Sequence, residues 1–233
     1  MATPENSKKR GPRPLLALLA LAAAVLVAAL AWRAWQVTEQ AAQLAAARPL
    51  PRPPPPSGPP PPPDVPYNEL VPIAAPVPAP PIDLPTADGR RFSLAGARGQ
   101  VVLVNFWATW CPPCVKEMPG MVKLGQALAR KYPGKFQLVA VSVDEEPGAL
   151  QRFFGGPPYG GPPRDVTVAL EPGAGVVTRA FYCTGRRACR PDDVKFPESY
   201  IVDRQGRIAA LVVGDIDWSI PSARRYLESL IEG

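Results

Sequence analysis

The sequence predicts an α/β domain, a mixed β-sheet flanked by helices on both faces, preceded by an N-terminal transmembrane helix and a proline-rich linker. Three observations carry this reading. Strand-like apolar runs alternate with helical segments from Ile82 onward and close in a hairpin plus helix. Of the 34 prolines, 18 fall between Pro49 and Pro85, a stretch that cannot hold a packed core. Leu15–Trp32 is an unbroken run of Leu, Ala and Val closed by a tryptophan. The 233 residues divide accordingly into a basic tail (1–14), an anchor (15–35), a helical extension with linker (36–81) and one domain (82–233).

The anchor comes first in the chain. At about 1.5 Å per residue the apolar run reaches roughly 27 Å, the thickness of a bilayer core. Lys8, Lys9, Arg10 and Arg13 precede it, and Trp32 and Trp35 suit the far interface. The positive-inside rule then keeps the N-terminus in the cytoplasm and exports everything after residue 35. Ala29-Leu30-Ala31 also resembles a signal-peptide cleavage site. The length of the run and its continuation into Gln36–Ala47 favour an uncleaved anchor, and either reading places the domain in an oxidising compartment. Pro49–Pro63 is nearly all proline, which at about 3.1 Å per residue makes a stiff polyproline II spacer.

The domain follows in order. Thr86–Arg90 is a turn, Arg91–Leu94 and Gln100–Trp107 are strands, and Val101–Val104 is the β-branched run of a strand buried on both faces. A helix runs from Pro112 to about Lys131 with Pro119 inside it, and Phe136–Val143 is a second buried strand. Pro147–Phe154 reads as a short helix ended by glycines, Val166–Leu170 as a strand and Ala174–Phe181 as a helix. Ser199–Asp203 and Arg207–Val213 form a hairpin around Gln205-Gly206. Pro221–Ile231 closes the chain as an amphipathic helix, with Ile220, Tyr226, Leu227 and Leu230 on its apolar side.

Composition excludes several functions. Histidine is absent, which removes Ser-His-Asp and Cys-His catalysis, His-ligated metal sites and His-ligated haem. The domain carries 19 basic against 16 acidic residues, and the larger positive excess sits beside the membrane run, so nucleic acid is not the partner. Four cysteines are too few for a disulfide-built scaffold.

Two of them carry chemistry. Trp107-Ala108-Thr109-Trp110-Cys111-Pro112-Pro113-Cys114 joins the end of a buried strand to a helix start. A sulfur at a helix N-terminus meets unpaired backbone N–H groups and the positive end of the helix dipole, both favouring the thiolate. Such placement lowers a cysteine pKa from about 8.5 into the range of roughly 3.5–7.5. Cys111 is then the exposed nucleophile, and Cys114, one turn deeper, attacks the mixed disulfide. Pro112 and Pro113 supply helical φ where N–H groups lack intrahelical partners. A zinc knuckle needs a second ligand pair, and covalent haem needs a histidine where the chain has Val115. No metal and no cofactor beyond the redox-active cysteine pair is expected.

Val104–Pro119, with Phe196-Pro197-Glu198-Ser199-Tyr200-Ile201-Val202-Asp203 ahead of Gly206, resembles the thioredoxin fold. Within it, the match is to membrane-anchored thiol–disulfide reductases of the TlpA, ResA and CcmG (DsbE) type. The resemblance implies a cis peptide bond before Pro197, which lies against the cysteines, and substrate contacts from Trp110, Pro112, Pro113, Phe196, Pro197 and Glu198. Asn105 stands where thioredoxin has a buried aspartate. Glu117, three residues after Cys114, matches an acid placed beneath the cysteines, a proton relay if buried. Glu198 matches a CcmG-like pattern that makes the cleft acidic.

Cys183 and Cys189 enclose a segment outside the family pattern and read as a structural disulfide; alternatively Arg186, Arg187 and Arg190 form a docking patch, or the pair exchanges electrons with Cys111. The function expected is disulfide reduction in exported proteins, with apocytochrome c as the family-suggested substrate and a membrane thiol–disulfide electron donor re-reducing the pair. The resemblance implies a single-pass protein of the bacterial inner membrane with its catalytic domain in the periplasm or outside. Two alternatives stay open: a thiol peroxidase of the peroxiredoxin or glutathione-peroxidase type, for which Thr109 is one residue out of register, and a non-catalytic binding module.

Overall fold

The computed structural model describes residues 67–146, 148–184 and 194–233, together with residue 26 and residues 29–33. Residues 29–33 are helical and exposed. The remainder of the expected tail and anchor, the Gln36–Ala47 extension, the Pro49–Pro63 spacer and Cys189 lie outside the described residues. Among the described residues no helix is long and apolar enough to cross a membrane. The sheet lies within residues 55–233, one of the two units into which the chain divides.

That sheet has six strands in the order β1-β8-β7-β4-β5-β6. They are β1 (Leu70–Pro78), β4 (Val101–Trp107), β5 (Phe136–Ser142), β6 (Val166–Leu170), β7 (Glu198–Val202) and β8 (Arg207–Val213), and a separate hairpin pairs β2 (Asp83–Pro85) with β3 (Arg91–Ser93). Strands β4, β5 and β6 run parallel, while β7 is antiparallel to β4 and β8 to β7. The sheet is therefore mixed, as the sequence predicts.

One boundary is corrected. The segment before Ile82 is not all linker, because β1 pairs antiparallel with β8 as an edge strand, Leu70 opposite Val212 and Pro78 opposite Arg207. Pro72, Pro76 and Pro78 lie within it. An edge strand tolerates them because one side of its backbone has no ladder to complete, and here the register breaks between Pro72 and Val77.

Every residue of β4 is buried and all but Asn105 are apolar, so the strand does not alternate. Its two faces meet different layers. One carries α1 (Pro112–Lys131) and α4 (Pro221–Glu232), packed through Leu103, Leu128, Leu138, Trp218 and Leu227. On it α2 (Ala149–Gly155) adds Leu150 and Phe154 around Trp107 and Met118. The opposite face carries α3 (Val176–Cys183) and the β2–β3 hairpin around Phe106, Phe181 and Tyr200. In α4 the fully inward residues are Ala223, Leu227 and Ile231; Ile220, expected on the apolar side, is the exposed N-cap.

Candidate active site

Strand β4 ends at Trp107, and four residues later Cys111 is the N-cap of α1 with Pro112 and Pro113 opening the helix. Cys111 and Cys114 are joined by a disulfide with S–S 2.08 Å and Cα atoms 5.3 Å apart. Cys111 Sγ also accepts the backbone N–H of Cys114 at 3.4 Å, so an otherwise unpaired helix donor points at the sulfur expected to carry negative charge. The expectation of an exposed nucleophile needs correction. Cys111 is only 4% exposed and Cys114 wholly buried, both packed with Trp107, Ala108 and Met118. Access to the pair is thus limited to one edge of Cys111.

Glu117, one turn beyond Cys114 on α1, is buried. Its Oε1 accepts Asn105 Nδ2 at 3.0 Å, and its Oε2 accepts Trp218 Nε1 at 3.0 Å and the Ile216 N–H at 3.3 Å. Asn105 Nδ2 also donates to Ser199 Oγ at 2.9 Å, tying β4 to β7 beneath the helix. Burial pushes the carboxyl up to about 7, outweighing the three donors that favour the anion, of which Trp218 counts most. A group titrating there exchanges a proton readily at neutral pH. Trp218 and Ile216 gave no sequence signal, because they reach Glu117 only through the packing of the segment before α4.

The remaining predicted residues divide. Trp110 is 63% exposed and meets Phe196 edge-on, ring centroids 6.0 Å apart. The Phe196–Pro197 bond is cis, Pro197 is buried, and its carbonyl accepts the Gly214 N–H at 3.0 Å. Pro112 is exposed and Pro113 half-buried at the helix mouth. Glu198 is placed differently from the expectation. It is buried in β7 and accepts the Tyr200 hydroxyl at 2.5 Å, and the alternation of the strand turns it to the face opposite Ser199. The acids that line the groove beside Trp110 and Phe196, about 860 Å³ in volume, are Asp144, Glu145 and Glu146. Their signal was an acidic run directly after a parallel strand, the end at which α/β sheets place ligands.

Asp144 is tied to the cysteine loop. Its carboxylate accepts the Thr109 N–H at 3.1 Å from each oxygen, the Thr109 hydroxyl at 2.7 Å and the Ser142 hydroxyl at 2.7 Å. Thr109 therefore spends its hydroxyl on Asp144. Cys183, at the end of α3, is disulfide-bonded.

A mixed sheet of this order, with a dithiol pair at the mouth of the helix after its central strand and a cis-proline loop beside it, defines a thioredoxin-fold thiol–disulfide oxidoreductase. Residues 74–227 match the Redoxin family, and the chain belongs to it. The thiol-disulfide oxidoreductase ResA of Bacillus subtilis (strain 168) is 30% identical over 143 residues, 61% of this chain and 69% of that protein. The thioredoxin-like protein YneN of the same strain is 48% identical over 64 residues, which span 28% of this chain and 35% of its own length. Among solved structures, a thiol:disulfide interchange protein of Chlorobium tepidum TLS is 28% identical with a TM-score of 0.53, covering 68% of this chain and 99% of that one. A secreted thiol-disulfide isomerase of Corynebacterium glutamicum shares the fold, with 20% identity, a TM-score of 0.56 and coverage of 70% and 92% of the two chains.

Proposed function

We propose that the chain is a membrane-tethered, extracytoplasmic reductase of protein disulfides. The observation that carries the reading is Cys111 at the N-cap of α1, its sulfur facing the Cys114 N–H and disulfide-bonded to Cys114, with buried Glu117 one turn on. In the reduced protein the Cys111 thiolate attacks one sulfur of a substrate disulfide, forming a mixed disulfide and releasing the other sulfur as a thiolate. Glu117 takes the proton from Cys114, whose thiolate attacks Cys111 Sγ. The substrate leaves as a dithiol once both its sulfurs are protonated, and its two electrons have come from the Cys111–Cys114 pair. A thiol–disulfide donor in the membrane returns two electrons to complete the cycle.

Support for the tether is the apolar run Leu15–Trp32 behind Lys8, Lys9, Arg10 and Arg13, and the proline spacer that follows. An inner-membrane anchor, N-terminus in the cytoplasm and the domain in the periplasm or outside, follows from that charge order, and apocytochrome c is the substrate suggested by the family. Trp110 and Phe196 are the surfaces on which a visiting polypeptide rests, with buried Pro197 next to Phe196. The test is a Cys114→Ser variant in its native membrane. It should accumulate covalent, reductant-sensitive adducts with exported proteins on Cys111, absent in Cys111→Ser. Adducts in neither variant, or equally in both, would overturn the reading.

A further inference from the structure

The β4–β5 ladder stops where the cysteine loop begins. Val143 N–H donates to Trp107 O at 3.0 Å as its last rung, and the next donor of the loop, Thr109 N–H, has the Asp144 carboxylate as its partner. With the Thr109 and Ser142 hydroxyls, that carboxylate gathers three donors in a place only 8% exposed. Ser142 Oγ in turn accepts the Asp144 N–H at 3.1 Å, so the acid is itself held. On the other side of Thr109 the loop closes with the Cys111 N–H on Ala108 O at 3.2 Å.

Trp110 lies between these two fixed points. Its side chain is 63% exposed, and its ring meets that of Phe196 nearly at right angles with centroids 6.0 Å apart. Thr109, Trp110, Asp144 and Phe196 line one groove. From this we infer that Asp144 is a positioning residue. Acting through Thr109, it fixes Trp110 and the approach to Cys111, so that a polypeptide disulfide enters the groove in line with the sulfur. The inference rests on the exchange reading above and adds to it a residue that touches neither sulfur. Productive alignment of reacting groups is steeply sensitive to small displacements, so freeing the loop acts on docking of large substrates before it acts on the thiol itself.

The experiment compares full-length wild type, Asp144→Ala, Thr109→Val and Thr109→Ser, each confirmed folded by its thermal transition. Two readouts are taken: steady-state reduction of a protein disulfide such as insulin with dithiothreitol as the electron donor, its uncatalysed rate subtracted, and the pH profile of Cys111 alkylation by iodoacetamide in the reduced protein. Asp144→Ala should raise KM for insulin roughly tenfold with a smaller change in kcat. Thr109→Val should fall between, Thr109→Ser should match wild type, and the midpoint of the alkylation profile should stay in place. Should Asp144→Ala fail to fold, the Val/Ser pair at Thr109 decides alone. KM within twofold of wild type in the folded variants, or a moved alkylation midpoint with KM unchanged, would overturn the inference. Wild type that reduces no disulfide would instead refute the exchange reading itself.

Discussion

Glu117 is an acid whose surroundings disagree about its charge. Three donors reach its two oxygens, yet removal from water dominates and holds the carboxyl near 7. The consequence for stability has a definite sign. The native state binds this proton more tightly than the unfolded chain, whose glutamate titrates near 4.5. The stabilisation is complete below that value and is lost as pH rises through 7. Across the window wild type should lose about 3 kcal/mol relative to Glu117→Gln, whose side chain does not titrate. Urea midpoints at intervals from pH 4 to 8 measure this, and parallel curves for the two proteins would show that Glu117 ionises as a solvated acid. The residue stands out in the sequence only by its spacing from Cys114. Its environment, built from Asn105, Ile216 and Trp218, is set by chain segments far apart.

Elements explain which parts of the fold were readable. Helix α1 and strand β4 follow directly from a proline-opened helix start and a β-branched run, and their observed bounds are Pro112–Lys131 and Val101–Trp107. Strand β1 was hidden because its prolines imitate the spacer before it, and only the pairing with β8 distinguishes the two. The exposed N-cap Ile220 shows the same limit in α4, since periodicity gives a face but not its first turn. Close packing of α1 on β5 supplies a test at this scale. A Cβ on Gly125 would lie 2.6 Å from Leu138 Cδ2 and 3.0 Å from Leu138 Cβ, too near the backbone for rotation to relieve. Gly125→Ala therefore gains up to about 1 kcal/mol of helix propensity but loses about 1–3 kcal/mol to overpacking. Net destabilisation in denaturant is expected, and the alanine should cost less in a Leu138→Ala background, where the Cδ2 overlap is gone and only the Cβ contact at 3.0 Å remains. Equal costs in both backgrounds would place the strain elsewhere.

Across the whole molecule, the site is a junction of four loops at one end of the sheet. The cysteine loop follows β4, the acidic loop follows β5, the cis-proline loop precedes β7, and Ile216–Trp218 follows β8. The place of Cys111 and Cys114 at the helix mouth was legible from their spacing, and the places of Glu117 and Pro197 from the family resemblance. Asp144 and Trp218 were not, because each acts through a partner remote in sequence, Thr109 in one case and Glu117 in the other. Glu198 was misplaced for a related reason: its neighbour Ser199 faces the Glu117 side, and one step along a strand reverses the face.

In the proposed cycle the helix mouth makes Cys111 the sulfur that attacks, because the Cys114 N–H points at it. Ultraviolet thiolate absorbance of the Cys114→Ser variant, followed against pH and corrected by the Cys111→Ser/Cys114→Ser double variant, reads that property directly. A Cys111 midpoint clearly below the roughly 8.5 of a free cysteine is the predicted result, and a midpoint at or above that value would contradict the account.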